Sequence, residues 1–186
     1  MLLNISFLDD ATRPPPIRLE GLTPRQKMPG NHLRAIHDHL RDNMVTIGKL
    51  IERAAAGKAS PAEVAEATSG LEMVSNFRRF GNLCGQYCQV VHTHHSIEDY
   101  AIFPEIAKHG PGFAAIAERL QAEHVVVHEL LLRLVDALNA LAAEPGADRF
   151  EETVEVYRAL ERVLLSHLGY EEDAICDALG YFDIGI

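Results

Sequence analysis

The feature that most limits how this chain can fold is the stretch from Val91 to Pro104, VHTHHSIEDYAIFP. In a helix, His94 and Glu98 stand one turn apart on a single face. Upstream, that face continues through Val91, Tyr87, Cys84 and Phe77, all apolar or nearly so. An ionisable side chain on an apolar seam is costly unless a partner compensates it. The fold must therefore bring polar groups from elsewhere in the chain to the same depth.

Four amphipathic segments are placed to do so. The first is expected to start near Asn31, a favoured N-cap. Its apolar stripe is Leu33, Ile36, Leu40, Met44, Ile47, Leu50, Ile51 and Ala54, with His37 among them and Gly57 at the end. Ser60-Pro61-Ala62-Glu63 opens a short helix through a capping box with proline at its first position. A long second segment then spans Leu71 to about Lys108. Its seam is Phe77, Phe80, Cys84, Tyr87, Val91, His94, Glu98 and Ala101, with Ile102 alongside.

The third segment, Phe113 to Ala143, carries Ala117, Leu120, His124, Val127, Leu131, Leu134, Leu138 and Leu141. His124 thus takes a leucine position, and His128 lies one turn further on. The fourth, Asp148 to Leu179, carries Phe150, Tyr157, Leu160, Leu164, His167, Glu171, Ile175 and Ala178, and Gly180 is expected to close it. Short links between such helices predict an all-α fold, an up-down-up-down antiparallel four-helix bundle over residues 31–186. The alternative is a helical pair that completes its bundle as a homodimer. Residues 1–30 form an irregular, extended N-terminal arm, interrupted by Pro14, Pro15, Pro16, Pro24, Pro29 and Gly30. Its apolar anchors, Ile5, Phe7, Leu8, Ile17 and Leu19, can lie on the domain or on a neighbouring subunit.

In such a bundle the polar seam residues share a layer. Most lie roughly 12 to 22 Å from the end where the first and third helices begin, at about 1.5 Å of rise per residue. The set is His37, His94, Glu98, His124, His128, His167 and Glu171. A lone core histidine is ordinarily a neutral, hydrogen-bonded side chain. Five histidines and two glutamates at one depth need a different account, and a pair of metal ions supplies it. Seven ligands are too many for one tetrahedral zinc. Imidazole with carboxylate suits iron, with manganese or zinc as alternatives. If both glutamates bridge two irons, the residues fill about nine of roughly twelve coordination positions. A bridging oxide or hydroxide takes about two more, which leaves about one for a small molecule. His95 and Asp99 form a second pair one turn apart. They serve either to orient ligand imidazoles or as a solvated face. Tyr87 is either core or a redox-active neighbour of the site.

Over roughly residues 31–180 the chain resembles hemerythrin-like (HHE cation-binding) domains. The resemblance rests on His37 in IHDHLR, His94 and Glu98 in HHSIEDYAIFP, His124 and His128 in EHVVVHEL, and His167 and Glu171 in HLGYEED. It implies that His124, His128 and His167 hold one iron, that His37 and His94 hold the other, and that Glu98 and Glu171 bridge them. Oxygen-carrying hemerythrins place the last carboxylate, an Asp, five residues after its histidine. Here Glu171 is four after His167 and Glu172 is five after. The seam through Leu164 and Ile175 favours Glu171 as the ligand and leaves Glu172 an outer contact. Related bacterial domains with this pattern are associated with peroxide, nitric oxide or iron handling.

The remaining features narrow the setting. A net charge of −10 argues against nucleic acid and anionic membranes as partners. No uncharged stretch reaches transmembrane length. Cys84, Cys88 and Cys176 do not make a disulfide framework. With no basic leader ahead of Asp9 and Asp10, a cytoplasmic location is expected. The Glu-x-x-His pairs of ferritin-like bundles and Gly-rich phosphate loops are absent from the sequence. Three functions remain: a di-iron binder of O2 or a related small molecule, a di-iron enzyme acting on hydrogen peroxide or nitric oxide, and an iron- or oxygen-responsive interaction module. The first is favoured, and the sequence assigns no catalytic residue.

Overall fold

A computed structural model describes residues 4–56, 60, 66, 90–144 and 146–185. All regular structure among these residues is helical. Helix α1 spans Met28–Ala55, α2 Val90–Ile97, α3 Phe103–Ala107, α4 Pro111–Ala143 and α5 Ala147–Tyr181. A π-helical turn, Glu98–Ile102, joins α2 to α3. The expected first half of the second segment, with Phe77, Cys84, Tyr87 and Cys88, lies outside the described residues, as does the short helix expected after Ser60 apart from Glu66, which is helical. No described helix is long and apolar enough to cross a membrane.

Two expected helix ends are instead points of close packing. Helix α1 begins at Met28, not Asn31, with Pro29 in the first turn where no donor is needed. Gly30 lies inside it. A Cβ there would stand 2.6 Å from the carbonyl oxygen of Cys176. Gly180 likewise lies inside α5, where a side chain would overlap the backbone of Gln26. Both glycines serve a close approach of backbones rather than a turn.

Helix α5 is the spine against which α1 and α4 pack. Contacts descend one helix as they climb the other. On α4, Ala137 accepts a hydrogen bond from Thr153 Oγ1 (3.4 Å), whereas Glu123 meets His167. On α1, Gly30 O meets Cys176 Sγ (3.4 Å), and Met44 O meets Tyr157 Oη (3.0 Å). The third and fourth seams are buried as expected, from Ala117 through Leu141 and from Tyr157 through Ala178.

The π turn corrects one seam position. Ala101 is exposed, and the apolar face passes instead through Ile102, Phe103 and Ile106. A π turn inserts one residue into the helical repeat, so the stripe resumes one position late. Phe103 N–H bonds back to Glu98 O, five residues earlier. Pro104 then starts the next helical stretch, where its missing N–H costs nothing.

The buried apolar residues fall into two groups. One includes Leu40, Met44, Val127, Leu131, Leu160, Leu164 and Leu168. The other includes Leu33, Ile102, Phe103, Ile106, Leu120, Ile175 and Leu179. Along α1 and α4, and from α2 through the π turn to α3, the two groups are separated by the polar seam residues, and on α5 the change falls between His167 and Glu171. The polar layer is thus closed above and below by hydrocarbon.

Candidate metal centre

Each helix delivers its polar residues to this layer: His37 from α1, His94 and His95 from α2, Glu98 from the π turn, His124 from α4, and His167 and Glu171 from α5. All seven are buried; His37, His95, Glu98, His167 and Glu171 have no exposure at all. Their donor atoms converge. His37 Nε2 lies 3.0 Å from His94 Nε2 and 3.5 Å from Glu171 Oε2. His94 Nε2 is 3.2 Å from Glu98 Oε1, and His124 Nε2 is 3.6 Å from Glu98 Oε2. His167 Nε2 is 3.4 Å from Glu171 Oε2. These atoms sort into two groups, each fit for one ion: His37, His94, Glu98 and Glu171, and His95, His124 and His167.

A metal fits this arrangement on two counts. Two atoms bound to one ion at about 2.1 Å stand roughly 3.0 Å apart at a right angle and roughly 3.4 Å apart at the tetrahedral angle. The spacings of 3.0, 3.2 and 3.4 Å fall in that range, and those of 3.5 and 3.6 Å lie just above it. Moreover, seven buried atoms have no hydrogen-bond partner among the described residues: Nε2 of His95, His124 and His167, and both carboxylate oxygens of Glu98 and of Glu171. Each such atom costs about 1–3 kcal/mol if left unpaired. A cation between them converts that penalty into coordination.

The outer nitrogens are held equally specifically. His37 Nδ1 is 2.9 Å from Glu172 Oε1, His124 Nδ1 is 2.9 Å from Asp99 Oδ1, and His167 Nδ1 is 3.0 Å from Glu123 Oε2. A carboxylate on Nδ1–H fixes the tautomer, leaving the Nε2 lone pair free to face inward. The three acids share a pattern. Each adjoins an inward-facing residue in sequence, but serves a histidine on another helix. Asp99 follows Glu98 and holds His124; Glu123 precedes His124 and holds His167; Glu172 follows Glu171 and holds His37. Arg41 Nη2 in turn grips Glu172 at 2.6 Å.

His95, expected either to orient a ligand imidazole or to face solvent, and His128, expected among the ligands, are placed differently. His95 is fully buried, stacks on His124 at 3.7 Å between ring centres, and turns Nε2 toward His124 and His167. His128 is only partly buried and stands behind it, with Nε2 3.0 Å from His95 Nδ1. His92 stacks on the outer side of His128. Asp99 and Glu172 lie outside the layer, as outer contacts. Tyr87 lies outside the described residues. Glu123, which the sequence reading passed over, is a central outer contact.

A family model for the hemerythrin HHE cation-binding domain matches residues 31–179. The chain belongs to that family. No curated relative and no solved structure matches it. The family's matched span covers every inward-facing residue above, so the cation the family is described as binding has a donor set waiting in this chain.

Charge within the hemerythrin-family site is distributed as a cation site requires. Burial drives the rings of His37, His94 and His124 below their usual range, His94 to about 3. Burial and the neighbouring rings hold His95 well below that range too. These imidazoles are neutral near pH 7 and can donate lone pairs. Burial pushes His167 down as well, but the carboxylates of Glu123 and Glu171 outweigh it and raise the ring to about 9. Burial pushes Glu171 up, and His167, His37 and His94 outweigh that and hold it well below the usual carboxylate range. Burial, then the charge of Glu171, raises Glu98 well above that range. Without a metal, therefore, His167 carries a proton that a cation would displace.

Proposed function

We propose that this hemerythrin-family chain is a di-iron protein that binds O2 or a related small molecule at a carboxylate-bridged, histidine-rich site. The helices are proposed to belong to an up-down-up-down four-helix bundle. The single observation that carries the reading is the set of seven buried, unpartnered donor atoms converging from four segments of the chain. His37 and His94 would hold one ion and His95, His124 and His167 the other, with Glu98 and Glu171 between them. Iron bound there would supply a redox-active Lewis acid with a position open to a diatomic molecule or a peroxide.

The chain's own residues set the terms of that chemistry. The neutral imidazoles add no charge, so the two central carboxylates provide the nearest compensation for the cations. Asp99, Glu123 and Glu172 keep a proton on each outer Nδ1 and fix each ring plane. The two apolar groups, headed by Leu40 and Val127 on one side and by Phe103 and Leu120 on the other, exclude bulk water from the layer. A dry, preorganised layer favours a small neutral guest over a charged one.

The reading is tested by elemental analysis of the purified full chain, with visible spectra taken before and after repeated aeration of the reduced protein. About two irons per chain, and a charge-transfer band that returns on each cycle, are expected. Iron with irreversible bleaching would move the assignment to an enzyme acting on peroxide or nitric oxide. Failure to bind iron, manganese or zinc after reconstitution would overturn the metal site itself.

A further inference from the structure

The N-terminal arm reaches the metal centre through one side chain. Residues 4–27 are not helical apart from a single 3-10 turn, Asp10–Thr12. They lie across α4 and α5. Ser166 Oγ donates to Asp10 Oδ2 (2.6 Å), Arg119 donates to Thr12 Oγ1 (2.7 Å) and to Asp9 O (2.9 Å), and Tyr170 Oη donates to Pro14 O (2.9 Å). Arg13 points inward from this strap, and its guanidinium crosses the Tyr170 ring at 4.8 Å.

Arg13 grips Glu123 with a forked pair of bonds, Nε to Oε1 at 2.8 Å and Nη2 to Oε2 at 3.0 Å. Glu123 Oε1 also accepts from Arg119 Nε at 2.6 Å. Its Oε2 accepts from His167 Nδ1 at 3.0 Å. The carboxylate thus carries four charge-assisted or ring hydrogen bonds and is 4% exposed. Two of the four come from the arm. Pro14, Pro15 and Pro16 follow Arg13 directly. Their fixed φ angles lower the entropy lost when the arm is laid down.

We propose that the arm is a working part of the metal centre, with Arg13 a positioning residue that locks Glu123 and, through it, the ring plane of His167. The inference rests on the metal reading above. A carboxylate held on one side only can rotate, and a ring that depends on it loses its aim. Arg18 provides the contrast. It belongs to the same arm, pairs with Asp173 at 3.8 Å, and is 70% exposed, so it should contribute nothing to the site.

The test compares full-length wild type with Arg13→Ala, Arg13→Lys, Arg18→Ala, Glu123→Gln and the Arg13→Ala/Glu123→Gln double variant. Co(II) is the probe. Its visible ligand-field bands report ligand geometry, and its release to an excess chelator gives a rate. Loss of an outer partner of a ligating histidine weakens metal binding about 10–100-fold, the range expected for Glu123→Gln. Arg13→Ala should release Co(II) on the order of tenfold faster, with altered bands, Arg13→Lys should fall between it and wild type, and Arg18→Ala should match wild type. In the Glu123→Gln background, removing Arg13 should add little, because the two act through one contact. Should Arg13→Ala lose its helicity, Arg13→Lys carries the same test, since it keeps the charge and loses the fork. Wild-type rate and bands in the Arg13 variants, or undiminished acceleration in the Glu123→Gln background, would overturn the proposal and leave the metal reading intact. A wild-type chain that binds no Co(II) would overturn both.

Discussion

Replacing His95 and His128 separately tells which ring is the ligand. His95 Nε2 is buried, unpartnered and grouped with His124 and His167. His128 touches the site only through His95 Nδ1, at 3.0 Å. For His95 to donate its Nε2 lone pair, its Nδ1 must carry the proton and give it to His128 Nε2. Burial, with the charges of His92 and His124, lowers His128 to about 4, so its ring is neutral and able to accept near pH 7. His128→Ala therefore removes an outer partner. The expected loss is about 10–100-fold in affinity, or roughly 1.4–2.7 kcal/mol. His95→Ala removes a ligand outright, and the chain should retain only one tightly held ion. In the metal-free protein the same change should cost a net of about 1–2 kcal/mol. A large-to-small core substitution costs about 2–5 kcal/mol, and relief of an unpaired buried nitrogen returns about 1–3 kcal/mol. The assay is metal content after chelator challenge, paired with melting of each variant with and without metal. Full loss of the second ion in His128→Ala, with two ions kept in His95→Ala, would refute the assignment and make His128 the ligand.

Other consequences can be checked alongside. Asp99→Asn should weaken metal binding about 10–100-fold through the ring of His124, read as faster chelator release. Metal affinity should rise with pH. His167 keeps its proton to about pH 9, and loading displaces it. The apparent constant should therefore gain about tenfold per pH unit between pH 6 and 9, and flat binding isotherms over that span would contradict it. The metal-free chain should be most stable near pH 6.5. Above that, the stability contributed by raised His167 is lost as pH climbs through about 9. Below it, rings whose folded values are depressed, His94 to about 3 and His128 to about 4, favour the unfolded chain as pH falls. Denaturant titration across pH reads both limbs. Gly30→Ala forces a methyl to 2.6 Å from Cys176 O. It should cost about 1–3 kcal/mol and lower the melting temperature by roughly 2–4 °C per kcal/mol.

The seam arithmetic carried far because helical period and burial point the same way in α1, α4 and α5. His37, His124, His167 and Glu171 stand where leucine would, and the sequence cannot hide a histidine in a leucine position. The reading weakened where the backbone left that period. The π turn at Glu98–Ile102 is not written in any residue type, and it moved the apolar face from Ala101 to Ile102. His95 adjoins a seam residue, and a one-residue offset is about 100° on a helix, so periodicity cannot decide which of two adjacent rings turns inward. Glu123 was missed for the same geometric reason. It sits beside His124, off the apolar stripe, and looks like a solvated acid until the arm covers it. A signal for it does exist, in the recurrence of an acid next to three of the inward-facing residues: Glu98-Asp99, Glu123-His124 and Glu171-Glu172. One step along a helix rotates a side chain from the bundle axis toward the neighbouring helix. An acid at that step is placed to hold the neighbour's ring rather than its own. Arg13 had no such signal. It sits in a segment without a repeat, 110 residues from Glu123, and only the folded path of the arm joins them.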